Sequence, residues 1–277
     1  MELRPKYDLA LLLRCINMAR SSFYYYAKQI GHKDKYIDIK AMIQRVYHQH
    51  KGRFGYRRIT LTLQRKGLVI NHKTVLRLMQ GLGLKSIVRV KKYRSYQGEH
   101  GSTAPNILNR AFRAKQPNQK WATDITEFNV SGKKLYLSPI IDLYNQEIIS
   151  YELSERPDFK SVMNMLNKAL KKAGKSQQLL LHSDQGWHYQ MKQYQHLLCQ
   201  NGITQSMSRK GNCLDNAVIE NFFGILKSEL FYLKKYNSIS QLKREINDYI
   251  HYYNNDRIKL NLNGMSPVQY RAHHAKT

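Results

Sequence analysis

In the opening stretch "DLALLLRCINMARSSFYYYAKQ", Leu9, Leu12, Leu13 and Ile16 recur at helical spacing, and "ARSSF" supplies serine caps for a second short helix. Ile39, Met42, Ile43, Val46 and Tyr47 form the apolar face of another helix, which "HKGRFGY" breaks. "RRITLTLQRKG" resumes with Ile59 and Leu63 four apart and stops at Gly67, while "NHKTVLRLMQGLG" starts on Asn71, a good N-cap, and ends at Gly81. Helices joined by short turns, the last of them basic, fit a helix-turn-helix over residues 1–85. Residues 86–118, with "RVKKYRSYQG" and few large aliphatics, read as a basic linker.

Beyond Trp121 the period shortens. "WATDITEFNV", "KKLYLSPIIDLY" and "EIISYELSE" read as three strands, and residues 158–173 as a helix through Phe159, Val162, Met163, Leu166 and Leu170. "QLLLHSD" is a fourth strand, 190–201 a helix, "GITQSM" a fifth strand and 214–230 a helix. Strands and helices in this order make an α/β unit with mixed strand pairing, spanning 119–235. A helical extension, 236–277, follows: "QLKREINDYIHYYNNDRIK" is a helix and "NGMSPVQY" a closing turn.

Charge changes the picture more than composition does. The 277 residues are 42% hydrophobic, enough to fold, and carry a formal charge of +27. Residues 1–120 hold 26 Lys and Arg against 5 acids, and residues 121–277 hold 20 against 14. A polyanion is the partner this surplus favours, nucleic acid ahead of an anionic membrane. No apolar run reaches transmembrane length and no export signal opens the chain, so a cytoplasmic location is expected. Cys15, Cys199 and Cys213 are odd in number, far apart and without a Cys-x-x-Cys pair, which argues against a disulfide framework or zinc finger and suggests buried or inert thiols.

The acids of the second half carry the candidate chemistry. Asp184 ends the apolar strand "LLLHSD", where an aspartate either caps the next element or serves a site. Asp124 sits mid-strand in "WATDITEF", on the side of Ala122 and Thr126. Glu220 shares a helix stripe with Asn216, Gly224 and Lys227; the glycine leaves room for a phosphate or metal, although a surface glutamate by itself needs no explanation. Several carboxylates from different elements suit a hard cation such as Mg2+ or Mn2+, and a pair of ions about 4 Å apart serves phosphodiester chemistry. A Gly-x-Ser-x-Gly elbow, a His-Glu-x-x-His pair and a Gly-Lys phosphate loop are all missing, and His182, His188 and His196 lack zinc spacing. Arg57, Arg58, Lys73 and Arg77 in the helical part, with Arg209, Lys210, Asn216 and Lys227 near the acids, are the candidate DNA contacts.

Asp124, Asp184 and Glu220, together with "GYRRI", "WATDIT", "HSDQG", "SRKGNCLDNAVIENFFGILKSE" and "YYNNDRIKLNLNGMSP", resemble the DDE transposases related to retroviral integrases. The resemblance is specifically to the second-frame product (OrfB) of bacterial insertion sequences that form transposase by programmed frameshifting. It implies a ribonuclease-H-like, mixed five-stranded sheet with flanking helices, preceded by an all-α helix-turn-helix segment. The first strand, fourth strand and final catalytic helix of that sheet supply the three acids, which hold two Mg2+ or Mn2+ ions. The implied activity is cleavage at the element's ends, followed by attack of the freed 3′-hydroxyls on target DNA. The implied partners are element-end and target DNA, a first-frame protein or fusion segment, and further copies of the chain in a homo-multimer; no membrane is involved. Lys227 matches a basic residue of that family, Asp142 and Asp215 fall outside the triad as structural candidates, and Trp187 is large for its place after "DQG". A non-catalytic regulator that binds element ends without its first-frame partner is the alternative. A nuclease acting on hybrids is a third reading, one that leaves the basic helical segment without a purpose.

Overall fold

The computed structural model describes residues 6–29, 34–87, 103–173, 178–210 and 212–274. The helical part contains α1 (Leu9–Cys15), α2 (Arg20–Gln29), α3 (Ile37–Gln49), α4 (Tyr56–Arg65) and α5 (His72–Gly81). Asn71 caps α5 as expected, its side chain accepting from the Lys73 N–H at 2.8 Å. Ile43, Val46, Phe54, Ile59, Leu63, Val75 and Leu78 make the core of α3 to α5, and Ile258, from far along the chain, completes it.

The α/β part follows as β1 (Lys120–Thr123), β2 (Thr126–Val130), β3 (Lys133–Asp142), β4 (Ile148–Ser154), α6 (Phe159–Ala173), β5 (Leu180–Ser183), α7 (Trp187–Gln190), α8 (Lys192–Gln200), β6 (Thr204–Met207) and α9 (Ala217–Glu229). β1 and β2 lie in one unbroken antiparallel register along β3, with Trp121 opposite Asp142 and Thr126 opposite Leu137. They are one strand interrupted at Asp124–Ile125, so the six segments form five strands, as the resemblance implied. β4 pairs with the other edge of β3, and β5 and β6 extend the sheet in parallel from β1.

Alternation along the interrupted strand decides which face each residue takes. Ala122, Phe128 and Val130 pack with Ile219, Phe222, Phe223 and Leu226 of α9 and with α10 (Ile239–Asn255). Trp121 turns the other way, onto Val162, Met165 and Leu166 of α6 and Leu198 of α8. Helices therefore cover both faces of the sheet.

Several expectations need correction. The end of the presumed linker belongs to the core: Leu108 is 2% exposed and its N–H meets Ser206 Oγ at 3.0 Å. The C-terminal extension is no separate layer, because Leu242, Ile246, Tyr249 and Tyr253 of α10 bury themselves in the same cluster as β2. Its closing turn leads into α11 (Pro267–His274), and α10 stops at Asn255. Of the thiols expected to be buried or inert, Cys15 and Cys199 are exposed. Among the described residues no helix is long and apolar enough to cross a membrane.

Candidate active site

β1 and β5 run parallel with Lys120 beside Leu180, Trp121 beside Leu181 and Ala122 beside His182. Continuing that register two residues sets Asp124 beside Asp184 at the neighbouring carboxyl ends of the strands, where open α/β sheets bind ligands. Asp124 shares the face of Ala122 and Phe128, which lies under α9. The 3-10 turn Cys213–Asn216 leads into α9, and Asn216 donates from Nδ2 to the Thr123 carbonyl at 3.3 Å. That bond ties the start of α9 to the end of β1, and Glu220 follows one helical turn later.

Each aspartate is steered by a neighbouring backbone N–H. Asp124 Oδ1 accepts from Ile125 N at 2.7 Å, and Asp184 Oδ1 accepts from Gly186 N at 2.9 Å. Burial pushes Asp124 well above the usual carboxylate range, and the charges of Asp184 and Glu220 push it further; the Ile125 N–H and Lys227 act against them. Asp184 is also raised, by burial of its carboxyl group, against the Gly186 N–H and His188. The charge of Asp184 beside it thus makes Asp124 harder to ionise.

Lys227 lies two turns beyond Glu220 on α9, with Nζ 5.2 Å from the centre of the Phe128 ring. Burial lowers it to about 8, against the pull of Glu127 and Asp124. Gly224, expected to open the stripe between Glu220 and Lys227, is itself buried against protein, so it makes close helix packing possible and leaves no gap for a phosphate. Asn216 is buried as well, 4% exposed, and its Oδ1 has no partner among the described residues.

Arg209 and Arg110 clamp Asp215, which is fully buried: Arg209 donates from Nε and Nη2, each at 2.9 Å, and Arg110 from Nε at 2.9 Å. Hydrogen bonding to Arg209 holds Asp215 far below the usual carboxylate range. Asp142 is buried too and pairs with Arg271 at 2.7 Å. Both are held in structural ion pairs, whereas Asp124 and Asp184 lie at the ends of β1 and β5 and Glu220 on α9. Lys210, Arg57, Lys73 and Arg77 are exposed, whereas Arg58 is turned inward, 3.9 Å from Glu229. Sequence reasoning passed over Gly186, although "DQG" flags a spot where the backbone must come close: a Cβ there would stand 2.9 Å from Asp184 Oδ1.

Carboxylates raised by burial, with the Asn216 amide oxygen unpartnered among the described residues, are a donor set that suits a hard divalent cation. Their side chains approach without converging: among the described residues no three His, Cys, Asp or Glu are gathered in a metal-holding group. Like charges in a poorly solvated pocket repel, and the nearby N–H groups of Ile125 and Gly186 hold the aspartates back.

Comparison with known proteins gives the lineage. Residues 33–92 match an HTH-like domain model, and 114–213 and 220–274 match two integrase core domain models. InsK of Escherichia coli K12, named as a transposase for insertion sequence element IS150, is 57% identical over 270 residues, covering 98% of this chain and 95% of InsK. The chain belongs to the insertion-sequence transposases. Another member, the transposase for element IS904 of Lactococcus lactis, is 36% identical over 235 residues, covering 84% of this transposase and 93% of that one. Among solved structures, a chain of the simian T-cell lymphotropic virus intasome bound to PP2A regulatory subunit B56 gamma aligns with a TM-score of 0.52 at 16% identity, covering 83% of this chain and 74% of that one. That likeness concerns the fold alone.

Proposed function

We propose that this transposase cleaves the ends of a mobile insertion sequence and joins the 3′-hydroxyls to target DNA, with Asp124, Asp184 and Glu220 as its catalytic acids. The observation that carries the reading is the register of β1 and β5, which runs Asp124 and Asp184, both raised above the usual carboxylate range, side by side under the helix that bears Glu220. The three acids would hold Mg2+ or Mn2+, one ion or a pair, which when bound neutralises the phosphodiester and makes an attacking oxygen nucleophilic. The Ile125 and Gly186 N–H groups orient the two aspartates. Asn216 fixes α9 on the end of β1, and Lys227 meets a phosphate oxygen next to the acids. Arg57, Lys73 and Arg77 grip phosphates of the element end, while Arg209 and Lys210 contact DNA beside the acids. A first-frame segment and further copies of the chain complete the assembly on paired ends.

The test replaces each acid by its amide in the chain fused to its first-frame segment, and assays end cleavage and strand transfer on a duplex carrying the element's terminal repeats. Loss of both reactions with end binding retained is the expected result. Normal joining by Asp184→Asn refutes the assignment. Binding of ends without cleavage or joining by the unsubstituted fused chain would favour the non-catalytic regulator.

A further inference from the structure

Glu229, the last residue of α9, lies nine residues past Glu220, about 14 Å along one helix. Its buried carboxylate accepts from Arg257 Nε at 2.9 Å and Nη2 at 2.7 Å, and from the Tyr249 hydroxyl at 2.9 Å. The helical unit reaches the same place from the other side. Arg53 donates from Nε to the Glu229 carbonyl at 3.3 Å, with its guanidinium 4.6 Å from the Tyr252 ring, and Arg58 stands 3.9 Å from the Glu229 carboxylate.

The chain after α10 then crosses onto the helical unit as a strap. Ile258 is buried in the core of α3 to α5, and Arg65 on α4 donates to the Asn263 carbonyl at 3.1 Å. Gly264, at φ +71°, lies so close to α4 that a Cβ would meet Leu61 Cδ1 at 3.0 Å. Buried Lys259 reaches back to Gln146, between β3 and β4, at 2.7 Å. Three arginines and a strap thus fasten the helical unit to the end of the helix that carries Glu220.

We infer that this joint is a ruler: Arg53, Arg58 and Arg65, through Glu229 and the 257–264 strap, fix the distance between the DNA gripped by α5 and the acids, and so select which phosphodiester is cut. The inference rests on the transposase reading above. These arginines are positioning residues: their contacts are to Glu229 and the strap, and they act through them. Phosphate contacts by α5 set the register of the duplex, and the joint carries that register to the acids.

The test uses the fused chain and an end-labelled duplex bearing one terminal repeat, with cleavage mapped to the nucleotide and the helical unit's footprint taken on the same DNA. The variants are Arg53→Ala, Arg65→Ala and Glu229→Gln; if the last fails to fold, the two alanine variants, whose side chains are partly or fully exposed, decide the matter. The expected result is an unchanged footprint, with the single cut replaced by a ladder of neighbouring cuts. An unshifted single cut, reduced only in yield or melting temperature, overturns the ruler and leaves the transposase reading standing. A fused wild-type chain that cuts nowhere removes both.

Discussion

Gly186→Ala isolates the position of one carboxylate from its presence. Gly186 has φ −59°, so its backbone accepts alanine without strain. The new Cβ would stand 2.9 Å from Asp184 Oδ1 and 3.4 Å from the Tyr189 ring, where ordinary contact begins at 3.4 Å. Tyr189 is 1% exposed and packed edge-on against Tyr194, so the ring holds and the carboxylate gives way. The shift needed is about 0.5 Å; since 1 Å of misplacement costs about 100-fold in rate, cleavage should fall roughly tenfold, about 1.4 kcal/mol of transition-state stabilisation. Single-turnover end cleavage at saturating DNA measures this, with end binding and melting temperature expected to stay at wild-type values. Gly81→Ala, at the end of α5 with nothing among the described residues within 4 Å of its Cβ, is the control; it keeps the rate and adds up to about 1 kcal/mol of helix stability. A Gly186→Ala rate equal to wild type refutes the reasoning, because the placement of Asp184 would then be immaterial.

Other outcomes follow from the buried titratable groups. Asp124 is raised above 3.8 by burial and by Asp184, so its contribution to stability is present below that value and lost as pH rises through the folded value; in chelator, Asp124→Asn should melt above wild type at neutral pH and converge with it in acid, and a lower neutral melting point contradicts this. Burial brings His182 from 6.5 down to about 4, so the neutral ring supports the fold above 6.5 and that support is lost as pH falls towards 4. Urea unfolding across this window should show up to about 3 kcal/mol of acid sensitivity that His182→Gln lacks, and matching pH profiles would count against it. Lys227 sheds its proton near 8, so end binding by wild type should weaken between mildly acidic and alkaline pH while Lys227→Arg stays level; parallel binding curves would argue that Lys227 meets no phosphate.

The period of the sequence revealed faces but not what covers them. Alternation placed Ala122, Asp124 and Thr126 together, and the Asn71 cap fixed the start of α5, because both are local properties of a few residues. The meeting of Asp124 with Asp184 depends on parallel pairing across an intervening hairpin, strand and helix, which no local pattern encodes; motif resemblance supplied it. The same non-locality hid the role of Ile258, which read as the last turn of a helix and fills the core of α3 to α5, and of Leu108, an aliphatic in a basic stretch that packs against the sheet. Gly224 misled for a related reason: a helical wheel identifies a stripe, but only packing shows that the stripe near Gly224 faces protein. The inward turn of Arg58 was equally unreadable, since its partner Glu229 is far away in sequence.

The claim that matters most is that Asp124, Asp184 and Glu220 act on one divalent cation site. Manganese titration of the wild-type chain and of Asp124→Asn, Asp184→Asn and Glu220→Gln, followed by electron paramagnetic resonance, measures it without DNA or turnover. Bound manganese is expected in wild type and a large loss of affinity in each single amide variant, with the fold intact. Manganese binding that is unchanged in all three variants would contradict it.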